Sequence, residues 1–176
     1  MNQISVASLM MNIHMTKADT VDENMVRHMI LNSVRMYRNM FNQEYGEVVL
    51  TWDSRHYWRR DYFPEYKLNR KMGREKDSKD WDQIYGVLNK IKDEVRENLP
   101  YKYLEVYGTE ADDIIAVLCK KYQNEDIMIV SADKDFIQLH KYPKVKQHSP
   151  NTKKLVNGFD PDVYIKEHIL KGDSSD

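Results

Sequence analysis

Short β-branched runs that end on carboxylates alternate with amphipathic helical stretches along this chain, and that alternation limits its fold more than any other feature. EVVLTWD, Glu47 to Asp53, has the apolar centre of a buried strand and closes on an acid. Ahead of it, Val26, Met29, Ile30, Tyr37, Met40 and Phe41 recur at spacings of three, four and seven, which predicts a helix over 22–45 stopped by Gly46. Trp81, Ile84, Tyr85, Leu88, Ile91 and Val95 predict a second helix ending before Pro100, and Tyr103 to Val106 a further strand. Thr109 is placed to cap a helix with Ala111, Ile114, Ile115, Leu118 and Tyr122 on one face, followed by a strand from Ile127 to Ser131. Val145–Ser149 and Lys153–Asn157 read as a hairpin around Pro150 and Asn151, and Asp160-Pro161 opens a last helix closed by Gly172. Parallel strands need crossover connections, usually helical, so the expected class is α/β with a mostly parallel central sheet flanked by helices.

At 176 residues, 41% hydrophobic and 31% charged, the chain is expected to form one soluble domain, which excludes a disordered tail or a fibre. It has neither a long apolar run nor a signal peptide, so neither a membrane nor a secreted setting is expected. Cys119 stands alone and cannot make an internal disulfide, and the histidines lack zinc-motif spacing, so a reducing cytoplasm is the default. A formal charge of -1 argues against binding a polyanion by bulk electrostatics, but it conceals an uneven distribution. Between Arg55 and Lys76, eight basic residues face only Asp61, Glu65 and Glu75, whereas Glu110 to Asp135 holds seven acids against Lys120, Lys121 and Lys134.

Ligands of open parallel sheets bind beyond the carboxyl ends of the strands. Asp53 stands at one such end, Glu110, Asp112 and Asp113 follow a second, and Asp133 and Asp135 follow a third. Two carboxylates about 4 Å apart repel by roughly 4 kcal/mol at an effective dielectric near 20, so a shared pocket of acids calls for cations. All-oxygen ligation favours magnesium or manganese. Local explanations compete with this reading: acids in a first helical turn suit the macrodipole, and Asp133 and Asp135 can form a turn.

YWRRDYFPEYKLNRK interleaves Tyr57, Trp58, Tyr62, Phe63 and Tyr66 with cations, a composition suited to phosphates and base faces. Lys67, Arg70, Lys71 and Arg74 would form one positive stripe on a helix beginning near Pro64, which a polyanion would neutralise. The competing reading is a solvated face packed by its aromatics.

Asp53 with WRRDYFPEYKLNR, EADDIIAVL, SADKDFIQL and the closing GDSSD resembles the flap endonuclease family of structure-specific 5′-3′ nucleases over essentially the whole chain. The resemblance implies a PIN-like 5′ nuclease fold with a basic helical arch at approximately 55–78. It also implies a phosphodiesterase using two Mg2+ ions, with Mn2+ as a substitute, that removes RNA primers and short DNA near 5′ ends during replication. Its substrates would be DNA and RNA·DNA duplexes bearing a 5′ end or flap. The implied metal ligands are Asp53, Glu110, Asp112, Asp133, Asp135, Asp173 and Asp176, with Asp113 either among them or supporting them. Lys67 and Arg70 match the arch cations that touch the scissile phosphate, and Arg59, Arg60, Lys71 and Arg74 would add nucleic-acid contacts. The implied setting is the cytoplasm, of a host cell if phage-encoded, with the chain acting as a monomer.

The family pattern begins with a strand ending in aspartate, and MNQISVASLMMN resembles only the stretch after that acid. The expectation is therefore a single 5′ nuclease catalytic domain over 1–176, truncated at both ends, without the C-terminal DNA-binding helices through which a single-strand-binding protein or sliding clamp would be reached. The alternative is a catalytically impaired, structure-specific DNA-binding remnant. A phosphatase using the Asp-x-Asp of SADKD is disfavoured, because such enzymes carry that motif on their first strand.

Overall fold

The computed structural model describes Ser5, Ala7, Met10, residues 21–75, Asp77 and residues 79–172, with the side chains of Arg70, Lys71 and Glu75 left aside. The expectations for residues 1–12 and for Asp173 and Asp176 lie outside the described residues.

Helix α1, Glu23–Tyr45, starts where the Asp22 carboxylate accepts from the Met25 amide at 3.1 Å and ends at Gly46, whose φ of 73° lets its amide reach the Asn42 carbonyl. Its buried stripe is Val26, Ile30 and Val34, one residue per turn. Strand β1, Val49–Thr51, follows; the short helices α2, Arg59–Tyr62, and α3, Leu68–Glu75, come next; then α4, Trp81–Asn98, capped by Asp80. Ile84, Ile91 and Val95 of α4 meet the α1 stripe and Leu50 in one core. Arg27 ties the two helices together from outside, donating through Nε and Nη2 to Glu94 at 2.6 and 2.9 Å.

Strand β2, Lys102–Leu104, pairs in parallel with β1, and Trp52 extends the pairing by donating to the Leu104 carbonyl at 2.9 Å. Helix α5, Ala111–Lys121, leads to β3, Ile127–Val130, and a 3-10 helix, Lys134–Lys141. Strands β4, Val145–Ser149, and β5, Lys154–Val156, then form the expected hairpin. A second core gathers Cys119 of α5, Ile129 of β3, Val145 of β4, and Phe136 and Leu139 of the 3-10 helix. Burial pushes the Cys119 thiol up to about 11, so it is packing material here. Among the described residues the strands form a two-stranded sheet, β1-β2, and a three-stranded sheet, β3-β4-β5, and β4-β5 is the antiparallel pair. No described helix is long and apolar enough to cross a membrane.

Helix α6, Pro161–Lys171, begins as expected: Asp160 accepts from the amides of Asp162 and Val163 at 3.0 and 3.1 Å, proline holds the first helical position, and Gly172 closes the end. Asp160→Ala is expected to cost about 1 kcal/mol, read as a lower urea midpoint with an unchanged slope.

Two local expectations are corrected. Residues 64–67 form turns instead of helix, and Lys67, at φ 59°, sits in left-handed backbone just before α3. It therefore leaves the stripe of Arg70, Lys71 and Arg74, because a right-handed helix cannot contain that dihedral. The cap of α5 is Glu110, in extended backbone, while the Thr109 hydroxyl turns back to the Val106 carbonyl at 2.9 Å.

Candidate active site

The amino end of α5 gathers carboxylates from both sheets. Asp53, just past β1, accepts from the Ala111 amide at 2.7 Å, so a distant strand end supplies part of the cap. Asp113 turns back to the Glu110 amide at 3.0 Å and takes two bonds from the Arg59 guanidinium, at 2.8 and 2.9 Å, and one from the Trp58 indole at 3.3 Å. Burial would raise its pKa, but these donors hold the carboxyl below its usual range.

Asp112 is different. Burial, then the neighbouring carboxylates of Asp53, Asp133 and Glu110, push it up to about 6. An acid placed only to suit the helix end would be stabilised in its charged form, whereas this one is penalised. The macrodipole accounts for Asp53 and Asp113 and leaves Asp112 unexplained. The nearby Lys67 ammonium offsets only part of that penalty.

Glu110 is the most enclosed of the group, its side chain 4% exposed. Arg59 Nη1 donates to its Oε2 at 2.9 Å, the Tyr66 hydroxyl to the same oxygen at 3.1 Å, and Lys67 Nζ to Oε1 at 2.7 Å. The Lys67 ammonium also lies 5.0 Å from the centre of the Tyr66 ring, and the Arg59 guanidinium 4.8 Å from that of Trp58. Burial alone would lower the Lys67 pKa, but the bond to Glu110 outweighs it and holds the ammonium above its usual value. Residues 58–67 are thus clasped onto the start of α5 by cations gripping Glu110 and Asp113.

Asp133 follows β3 in a loop pinned from inside. The buried Gln147 amide donates to the carbonyls of Ser131 and Asp133 at 3.0 and 2.6 Å, and the Asp133 amide donates to the Ser131 hydroxyl at 3.1 Å. With both its hydrogens committed, Gln147 can only accept at its oxygen, so His140, 3.1 Å away, carries a proton on Nε2. Burial lowers the His140 pKa, against the pull of its bond to Gln147. The Asp133 side chain accepts from the Asp135 amide at 2.9 Å, so it also serves as the turn former that the local reading required. Asp135 is exposed, its carboxylate 3.7 Å from His168 Nε2 of α6.

The structure thus brings Asp53, Glu110, Asp112 and Asp133 to one neighbourhood, sets Asp113 against Arg59, and leaves Asp135 at the margin. The donor chemistry, oxygen alone and strongly anionic, suits Mg2+ or Mn2+. Among the described residues no three of these side chains are gathered closely enough to hold a metal ion as they stand. Of the basic residues, Arg60 is exposed with its guanidinium 4.5 Å from the centre of the Tyr57 ring, and Arg74 stands 5.8 Å from that of Tyr85. Arg70 and Lys71 lie on α3, and their side chains fall outside the described residues. Sequence reasoning treated Tyr66 and Trp58 as base-stacking candidates and missed their bonds to Glu110 and Asp113. It also missed Gln147; a polar side chain in a strand of the inner hairpin was the available signal.

The family model of the 5′-3′ exonuclease N-terminal resolvase-like domain matches residues 7–168. Ribonuclease H of Enterobacteria phage T4 is 38% identical over 99% of this chain and 59% of its own length. The 5′-3′ exonuclease of Buchnera aphidicola subsp. Schizaphis graminum is 30% identical over 84% of this chain and 53% of its own. The chain therefore spans between half and two thirds of the length of these relatives. A crystal structure of the bacteriophage T5 flap endonuclease with DNA and metal ions shares the fold, with a TM-score of 0.71 at 18% identity over 85% of this chain and 59% of that one. With a family model that matches most of its length and a phage relative similar over 99% of this chain, the chain belongs to the family of the 5′-3′ exonuclease N-terminal resolvase-like domain.

Proposed function

We propose that this chain carries the catalytic centre of a metal-dependent 5′ nuclease that hydrolyses phosphodiesters near 5′ ends or flaps, in DNA and in RNA·DNA hybrids. The observation that carries the reading is the carboxylate group at the start of α5, where Asp53 accepts from the Ala111 amide and Glu110 is held by Arg59 and Lys67 of the basic segment. The relatives support it by name: a ribonuclease H, 5′-3′ exonucleases, and a flap endonuclease of Shewanella pealeana that is 36% identical over 56% of this chain. A T5 5′-exonuclease structure with bound divalent ions adds support for metal dependence.

Asp53, Asp112 and Asp133 would hold the ions, with Glu110 and Asp135 completing the oxygen set and Asp173 and Asp176 as further candidates. Two Mg2+ ions are the proposed complement, and such ions generate hydroxide from bound water and stabilise a leaving oxygen. The α5 amide that holds Asp53 and the Gln147 amide that pins the Asp133 loop fix the spacing of the acids. Lys67 and Arg70 would offset charge on the oxygens of the scissile phosphate, Arg59 and Arg60 would add phosphate contacts, and Lys71 and Arg74 would extend that charge along the nucleic-acid backbone. Action as a cytoplasmic monomer, with 55–78 as the arch of a single catalytic domain, belongs to the same proposal.

Cleavage of a labelled 5′ flap and of an RNA·DNA hybrid should rise with Mg2+ and be lost in Asp133→Asn. Magnesium-independent turnover, or turnover untouched by that substitution, would remove the proposal.

A further inference from the structure

Beyond the last residues of β1 and β2 the two chain segments keep running side by side. Ser54 donates to the Thr109 carbonyl at 3.0 Å, Trp58 to the Gly108 carbonyl at 2.9 Å, and Tyr57 and Gly108 form a parallel bridge. Gly108, at φ 82°, supplies the left-handed turn that ends the second segment. This zippered edge carries two rings. Tyr107 is 82% exposed, an unusual setting for a large aromatic side chain, and His56 stacks on it with centroids 5.6 Å apart and planes 22° from parallel. Asp61 Oδ2 lies 3.1 Å from the imidazole Nε2.

The position of this pair matters more than its exposure. His56 follows Asp53 by three residues and Tyr107 precedes Glu110 by three, and a three-residue stretch spans at most about 11 Å. The rings therefore stand within a few nucleotide steps of the carboxylate group, on the rim where Arg55 and Arg60 are exposed. A flat, preorganised pair of rings beside cations and close to the acids matches one ligand chemistry: a nucleobase with its phosphate, unpaired so that its face is available. Within a duplex the base faces are stacked on one another, whereas an unpaired base offers its own.

We propose that Tyr107, backed by His56, is a stacking platform for an unpaired base of the strand being cut, next to the scissile position. This inference rests on the 5′ nuclease reading and assigns it a base-contact residue, Tyr107, outside the 55–78 arch. Tyr107 holds the base by ring overlap, and His56 keeps the phenol ring from rotating away.

The test is binding in EDTA, followed by fluorescence anisotropy, of a DNA hairpin with a short 5′ single-stranded tail and of its blunt counterpart. A 2-aminopurine in the tail beside the junction reports stacking directly. Tyr107→Ala should weaken the tailed hairpin about tenfold and the blunt one less than about twofold, and should relieve the quenching of 2-aminopurine. Tyr107→Phe, which keeps the ring, should stay within about twofold of the parent, and His56→Ala should fall between the two. Because Tyr107 is exposed, a melting curve matching the parent's will confirm that the alanine variant folds. Equal weakening of both hairpins, or unchanged quenching, overturns the platform. If the parent itself does not prefer the tailed hairpin, the platform and the nuclease reading fall together; if it prefers and cuts it while Tyr107→Ala does the same, the platform alone falls.

Discussion

Asp112→Asn is expected to lower cleavage of a 5′-flap substrate by on the order of a thousandfold while making the metal-free protein harder to melt. The first effect comes from losing one anionic oxygen donor where divalent ions are worth several kcal/mol of transition-state stabilisation, each 1.36 kcal/mol being tenfold in rate. The second comes from the acid's environment. Burial and the carboxylates of Asp53, Asp133 and Glu110 push the folded-state value up to about 6, against about 3.9 in an unfolded chain. Between those two values the folded state holds the proton more tightly, so this group's contribution to stability declines as pH rises from about 4 to about 6 and stays at its full penalty above. Melting in EDTA at pH 5 and at pH 7.5 should therefore show a destabilisation at the higher pH that is smaller in Asp112→Asn, with a gain of about 2–4 °C for every kcal/mol recovered. Retained cleavage would contradict the assignment of Asp112 to the metal site. A variant no more stable than the parent at pH 7.5 would contradict its electrostatic burden.

Glu110→Ala should act the other way and destabilise the fold. It removes the acceptor of Arg59, Lys67 and Tyr66 at once. Leaving a buried charge without its partner costs about 3–5 kcal/mol. Arg59 keeps Asp113, and both cations retain some access to water, so the lower end, about 3 kcal/mol, is expected. That corresponds to a fall in Tm of about 6–12 °C. Limited proteolysis should cut faster within 58–67, since this clasp seats those residues on α5. A double-mutant cycle separates the pair from its surroundings: Lys67→Ala in the Glu110→Ala background should cost much less than alone. Strictly additive losses would mean the two groups do not support one another.

Much of the framework was legible in the chain. The 22–45 helix, the helix from Trp81 to the residues before Pro100, and the Asp160-Pro161 start emerged from periodicity and capping, because those signals are local. The 3-10 helix at Lys134–Lys141 was not read, since its turn depends on Asp133 capping the Asp135 amide and on Phe136 and Leu139 reaching a core assembled from distant elements. The cationic stripe failed at Lys67, where a left-handed residue and the pull of Glu110 override helical spacing. The adjacent acids Asp112 and Asp113 look alike in sequence. The three-residue spacing from Glu110 to Asp113 is a capping-box signal that selects Asp113 for the helix start, where Arg59 grips it, but nothing in EADD shows that Asp112 faces carboxylates brought from other elements.

The relay from His140 through Gln147 to the Asp133 loop has a consequence for how this molecule tolerates change. A rim acid owes its place to an interior amide that has no slack, both hydrogens given away and its oxygen already receiving one. Vulnerability to mutation is therefore not confined to the surface where the chemistry happens. It reaches inward along this chain of hydrogen bonds, so that Gln147→Glu, equal in shape but without hydrogens to give, would set a carboxylate against the Ser131 and Asp133 carbonyls and misdirect the loop.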